Sequence, residues 1–174
     1  MVGQPQRTEA RRLLCDSMLA RLGRCLRAAG YDTEIAAPSE HDGALLERAI
    51  QEDRLLLTCD RGITERRKAS GRVVVLPSNG LHRTARTLTS RLQIDWLLRP
   101  FSRCLVDNSR LRPAEPEELC RLPERARAIG RKDVFICPLC DRIYWPGSHV
   151  RRMYEQLNAW QNVPVMDDAG VSES

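Results

Sequence analysis

Aromatic residues make up only 5% of this 174-residue chain, so its core must be built mainly from Leu, Val, Ile and Ala. Lysine occurs only at Lys68 and Lys132, which leaves arginine to fill almost all of the 28 Lys and Arg positions. No run of 18 or more apolar residues exists, which argues against a helical membrane span. The opening MVGQPQRTEARR is charged but lacks the apolar stretch of a secretory signal, so a cytoplasmic location is expected. There is no G-x-S-x-G, no Walker loop and no dinucleotide fingerprint, and His41, His82 and His149 are scattered. The usual nucleophile triads and glycine-rich nucleotide turns therefore drop out.

What is present is a basic chain with a net charge of +5 and a pI of about 9.0. That balance favours polyanionic partners, and arginine can grip a phosphate with two parallel hydrogen bonds. An arginine-favouring genome gives the same composition. Seven cysteines (15, 25, 59, 104, 120, 137 and 140) are an odd number, which points to free thiols plus a metal site and away from a disulfide framework.

Strand and helix signals alternate through the first half. Leu13–Cys15 reads as a short apolar strand ending at Asp16. SMLARLGRCLRAAG follows with Met18, Leu19, Leu22, Cys25, Leu26 and Ala29 at helical spacing and Gly30 as its stop. A second strand is expected over Thr33–Ala37. Ser39-x-x-Asp42 then opens a helix with Leu45, Leu46, Ala49 and Ile50 on its buried stripe. LLLT (55–58) and VVVL (73–76) read as buried strands, with a basic helix over roughly Thr64–Ala69 between them and another helix over residues 81–94. This alternation predicts an α/β fold with a parallel sheet covered on both faces. Near Arg99-Pro100 the helical period stops and prolines gather, so a first domain over 12–98 is expected, then a small one over 99–160. The flanks 1–11 and 161–174 are expected to be flexible tails, and HVRRMYEQLNAW reads as helical.

Asp16 and Asp60 end strands that would project from the carboxyl edge of the sheet, and Asp42 opens a helix at that same edge. Converging carboxylates repel unless divalent cations neutralise them, and Mg²⁺ or Mn²⁺ there can activate water. The competing role for Asp16 and Asp42 is helix capping. Glu40, Glu47 and Asp53 are reserve carboxylates. Farther along, Cys104-x-x-Asp107 and Cys137-x-x-Cys140 form two knuckle-like pairs that read as a zinc ribbon with aspartate as one ligand. His149 can replace Asp107 as fourth ligand, and a lone C-x-x-C also suits a redox pair. Tyr144 and Trp145 are either stacking platforms or the small domain's core. Arg61–Arg72 is either a phosphate-facing or a solvated helix.

The stretches LLCDSMLARLGRCLRAAGYDTE, HDGALLERA and RLLLTCDRGI resemble the PIN-like ribonuclease domain at the C-terminus of the Mut-seven exonucleases. FSRCLVDNSRL and VFICPLCDRIYWPGSHVRRM resemble that family's zinc ribbon, so the likeness runs over about residues 12–157. The resemblance implies a three-layer PIN-like fold, RNA-directed activity and acidic metal ligands at Asp16, Asp42 and Asp60. Two positions depart from the pattern: Cys59 stands where the family's Thr-Arg-Asp motif has arginine, and Asp107 where its ribbon has cysteine. The function expected is a metal-dependent ribonuclease acting on RNA, in particular single strands. Mg²⁺ or Mn²⁺ would sit at the aspartates, Zn²⁺ at Cys104, Asp107, Cys137 and Cys140, and phosphate contacts would come from Arg21, Arg24, Arg61, His149, Arg151 and Arg152. The alternative is a non-catalytic RNA-binding module on the same scaffold.

Overall fold

The computed structural model describes residues 11–65 and 71–162. Four strands, β1 (Leu13–Cys15), β2 (Thr33–Ile35), β3 (Leu55–Thr58) and β4 (Val73–Val75), form a wholly parallel sheet in the order β2-β1-β3-β4. Parallel neighbours need crossover connections, and the helices supply them. These are α1 (Ala20–Ala29), entered through a 3₁₀ turn at Ser17–Leu19, then α2 (Asp42–Gln51) and α3 (Leu81–Leu92). Most of the expected helix between β3 and β4 lies outside the described residues. Gly62–Glu65 is a 3₁₀ turn.

The alternation of side chains along each short strand sorts the core into two layers. Leu13, Cys15 and Leu57 pack with α1 and α3 on one face. Leu14 and Leu56 pack with Leu45, Leu46 and Ala49 of α2 on the other. LLLT is thus buried on both faces, as a strand between two helical layers must be. Two members of the expected stripes are not core residues. Met18 is 60% exposed because the 3₁₀ turn rotates it away from the α1 stripe, and Ile50 lies at the exposed end of α2. The Ser39 capping box is not formed either. His41 is the N-cap of α2, with no side-chain cap bond, because residues 37–40 make a separate turn closed by the Glu40 N–H on the Ala37 carbonyl.

Gly30 ends α1 with φ of +102°, and a Cβ there would lie 2.6 Å from the Arg99 carbonyl oxygen, so only glycine fits. The chain from Arg99 is fastened on this helix end by the Arg99 and Phe101 N–H groups donating to the Ala29 and Ala28 carbonyls. Beyond it, β5 (Arg112–Pro113), β6 (Phe135–Ile136) and β7 (Ile143–Tyr144) form an antiparallel sheet. A long helix, α4 (Ser148–Gln161), then returns to pack against α1 and α3. Trp96 is fully buried against Trp160 of α4, their rings 4.7 Å apart, and its indole N–H donates to Thr89 Oγ1. Trp160 in turn donates to His82 Nδ1 on α3. One apolar cluster therefore holds residues from both sides of the expected boundary at residue 98. No helix among the described residues is long and apolar enough to cross a membrane.

Candidate active site and metal centre

The carboxyl ends of β1 and β3 lie side by side, because Cys15 pairs in register with Leu57. The next residue of each strand is polar. Thr58 is fully buried, and its hydroxyl donates to Asp16 Oδ2 at 2.8 Å while accepting the Asp60 N–H at 3.0 Å. One hydroxyl thus ties the carboxylate of Asp16 to the backbone of Asp60. The second Asp16 oxygen accepts from Ser17 Oγ, and Asp60 Oδ1 accepts the Gly62 N–H at 2.8 Å. Asp16 does occupy the N-cap of the 3₁₀ turn, but its side chain makes no cap bond. The capping role proposed for its carboxylate is not realised; the side chain is drawn to Thr58 instead.

Asp42 is exposed and is the first residue of α2, one position past its N-cap His41, so it does not take the capping position. Asp60 is exposed as well. The three aspartates do not form a tightly convergent ligand set among the described residues. Of the reserve carboxylates, Glu40 is paired with Arg48, Glu47 faces solvent, and Asp53 pairs with Arg72 just before β3, at the opposite edge of the sheet.

Cys104, Asp107, Cys137 and Cys140 do converge: one ligand atom from each lies within 4.8 Å of all the others. The two pairs are built alike. In the first, the Cys104 N–H donates to the Ser109 carbonyl and the Asn108 N–H to the Cys104 carbonyl. In the second, the Cys137 N–H donates to the Arg142 carbonyl and the Asp141 N–H to the Cys137 carbonyl. Each turn places its fifth residue in the left-handed region, Asn108 at φ 69° and Asp141 at φ 58°. Asparagine and aspartate tolerate that conformation better than most residues. In both turns backbone N–H groups point at the leading sulfur: Val106 toward Cys104, and Leu139 and Cys140 toward Cys137. Such turns cradle a thiolate whether or not the fourth residue is cysteine.

The electrostatics follow from this crowding. Burial opposes ionisation of Asp107, yet hydrogen bonds from the Cys140 and Cys137 thiols and the Ser109 N–H hold its carboxyl well below the usual range. Cys104 is held below its ordinary value despite burial, chiefly by the Tyr144 hydroxyl and by backbone N–H groups. The Asp107 carboxylate, followed by burial, pushes Cys140 up to about 12. His149 stands exposed in the first turn of α4 and is not part of this set. Tyr144 is a core residue, donating or accepting at Cys104 Sγ and accepting the Leu105 N–H, so it offers no free stacking face.

A polar network unmarked by any sequence motif fastens the first knuckle to the parallel sheet. Arg27 on α1 is 3% exposed; its Nε donates to the Thr33 carbonyl, and its Nη1 donates to the carbonyls of Leu105 and Val106 at 3.1 and 2.7 Å. Asn108 accepts the Thr33 N–H and donates to Asp32 and Glu34. A buried guanidinium needs such partners, since burial alone pulls its pKa down. The converging Cys and Asp set therefore sits against the start of β2, while Asp16 and Asp60 lie at the other edge of the sheet. Of the residues expected to meet phosphate, Arg21 and Arg24 are exposed on α1, Arg61 is exposed just after Asp60, and Arg151 and Arg152 are exposed on α4.

No curated protein and no solved structure matches the chain. A parallel α/β sheet with acidic residues at its carboxyl edge, joined to a paired-knuckle cluster of Cys and Asp, agrees with the family model that matches the chain: over residues 11–157 it belongs to the Mut7-C RNAse domain family.

Proposed function

We propose that the protein is a metal-dependent ribonuclease that hydrolyses single-stranded RNA at the carboxyl edge of the parallel sheet, on a PIN-like α/β/α scaffold. The observation that carries this reading is the Thr58 hydroxyl, which is buried and bound to both Asp16 and Asp60. One buried hydroxyl at a strand end thus holds the carboxylate of Asp16 and the backbone of Asp60 at the same edge. Membership of an RNase-domain family supports the same reading.

Asp16, Asp60 and Asp42 offer only oxygen donors, which suits a hard cation that keeps part of its water. Bound there, Mg²⁺ or Mn²⁺ would supply an activated water and neutralise charge at the phosphate. The chain's own part is positional. Thr58 fixes the Asp16 carboxylate, and the Gly62 N–H holds the Asp60 carboxylate through Oδ1. Arg21, Arg24 and Arg61 hold the phosphates on either side, and His149, Arg151 and Arg152 hold the strand farther out.

Zn²⁺ fits the second donor set. A tetrahedron with Zn–S bonds of about 2.3 Å has sulfur–sulfur edges of about 3.8 Å, close to the 3.6 Å between Cys104 and Cys140. It would reinforce the knuckles that Arg27 and Asn108 already fasten to β2.

The test is metal-stripped protein with end-labelled single-stranded RNA, with and without Mn²⁺, beside Asp16→Asn and Asp60→Asn. Cleavage that requires Mn²⁺ and is lost in both variants, with melting temperatures within about 5 °C of wild type, supports the assignment. Intact RNA in every lane favours the non-catalytic RNA-binding reading, whose specific support is that the three aspartates form no tightly convergent ligand set among the described residues.

A further inference from the structure

The two helical layers that cover the parallel sheet differ sharply in charge. On the α2 side acids and bases are mixed: α2 carries Asp42 and Glu47, and its Arg48 is paired with Glu34, Glu40 and Glu52. The other layer holds α1, α3 and α4 packed together. Neither α1 (ARLGRCLRAA) nor α3 (LHRTARTLTSRL) contains a single Asp or Glu, and α4 contains only Glu155. Seven exposed arginines stand on this layer, Arg21, Arg24, Arg83, Arg86, Arg91, Arg151 and Arg152, and none has an ion-pair partner among the described residues, though Arg91 donates to the Val75 carbonyl. Like charges left unpaired on adjacent helices repel and do not contribute to stability, so the fold itself gives no reason for them.

Their placement supplies one. Helices that follow strands of a parallel sheet begin at its carboxyl edge. The first turn of α1 leaves β1 just after Asp16. That of α3 leaves β4, where the Leu76 N–H donates to the Thr58 carbonyl and Thr84 Oγ1 to the Pro77 carbonyl. The first turns of α1 and α3, which carry Arg21 and Arg83, therefore stand at the same edge of the sheet as Asp16 and Asp60, with Arg24 and Arg86 one turn behind.

We infer that the α1–α3 face is the track for single-stranded RNA leaving the acidic edge, and that Arg83 and Arg86 are its substrate-gripping residues on α3. This rests on the reading of Asp16 and Asp60 as the cutting site. Arginine suits the task because it grips phosphates with its fork and stacks on unpaired bases. The occupant is RNA and not an anionic membrane, since the face borders the acidic edge and the apolar side chains of its helices are turned into the core.

The experiment is fluorescence anisotropy of a labelled single-stranded RNA without added Mg²⁺ or Mn²⁺, so that binding is read without cleavage, across a salt series. Arg83→Gln/Arg86→Gln is compared with wild type and with Arg125→Gln/Arg127→Gln, which removes the same charge from the segment between the knuckles. We expect the α3 variant to bind about tenfold more weakly, with a salt slope shallower by about 0.7 for each lost phosphate contact. The control should stay within about twofold. Equal affinity of the α3 variant and wild type would overturn the track, as would equal losses in both double variants or binding to phosphatidylserine vesicles without binding to RNA. Tight, Arg83- and Arg86-dependent binding without cleavage in Mn²⁺ would leave the track standing and remove the nuclease reading. Cleavage with an unchanged KM in the α3 variant would do the reverse.

Discussion

Replacing Thr58 by valine keeps the shape of the side chain and deletes the hydroxyl that joins Asp16 to Asp60. The bond to the ionised Asp16 contributes about 1.5–3 kcal/mol, as hydrogen bonds to charged groups do. The Asp60 N–H also loses its acceptor, but Asp60 is exposed and water can replace it, so little is added. A loss of about 2–3 kcal/mol follows, which at roughly 2–4 °C per kcal/mol lowers the melting temperature by about 5–10 °C. Thr58→Ser is the informative partner. It keeps both hydrogen bonds and loses one buried methyl group, at about 1 kcal/mol. Thermal melts of the three proteins should rank wild type, serine, valine. RNA cleavage measured well below all three transitions should fall about tenfold or more in the valine variant only, because the Asp16 carboxylate is then held by Ser17 alone, through a longer bond. Serine and valine variants that match in both stability and cleavage would refute the positioning role of the hydroxyl.

Two further outcomes test the metal centre and its anchor. Asn108→Asp keeps a residue that tolerates φ 69° but replaces two donated hydrogen bonds with a third carboxylate beside Asp32 and Glu34. It should cost about 3 kcal/mol near neutral pH, read as a melting temperature lower by roughly 10 °C. Its pH dependence has a definite sign. Burial raises the Asp32 pKa, but hydrogen bonds from Arg54 and Asn108 leave it below its ordinary 3.8. The stability it contributes is therefore full above that value and is lost as pH falls through the lower, folded value. The gap between wild type and Asn108→Asp should close in that acid range, and a constant gap from pH 7 to pH 3 would exclude the charge explanation. Asp107→Cys should retain Zn²⁺ at chelator concentrations that strip the wild type, followed by a colorimetric zinc assay; equal retention would remove Asp107 from the ligand set.

The alternation of apolar strands with helical periods was enough to read an α/β sheet, because the side-chain period of each element is local and the buried stripes follow it. Gly30 as a helix stop, LLLT as a strand covered twice and the return helix after Ser148 are of this kind. So are the knuckle pairs, whose spacing is set by the turn that wraps a sulfur. Capping was misjudged at Asp16 and Ser39 because the local sequence cannot reveal a distant competitor, and the Thr58 hydroxyl lies 42 positions away from Asp16. The burial of Arg27 and Asn108 was equally invisible, since their partners come from β2 and from residues about 75 to 79 positions apart in the chain. Sequence alone thus determined the elements, the candidate carboxylates and thiols, and the excess of arginine. Tertiary structure decided which of them meet: the parallel register that sets Asp16 beside Thr58, the network that holds the knuckle to β2, and the gathering of unpaired arginines on one helical layer. Those outcomes depend on contacts between segments far apart in the chain, and no local period encodes them.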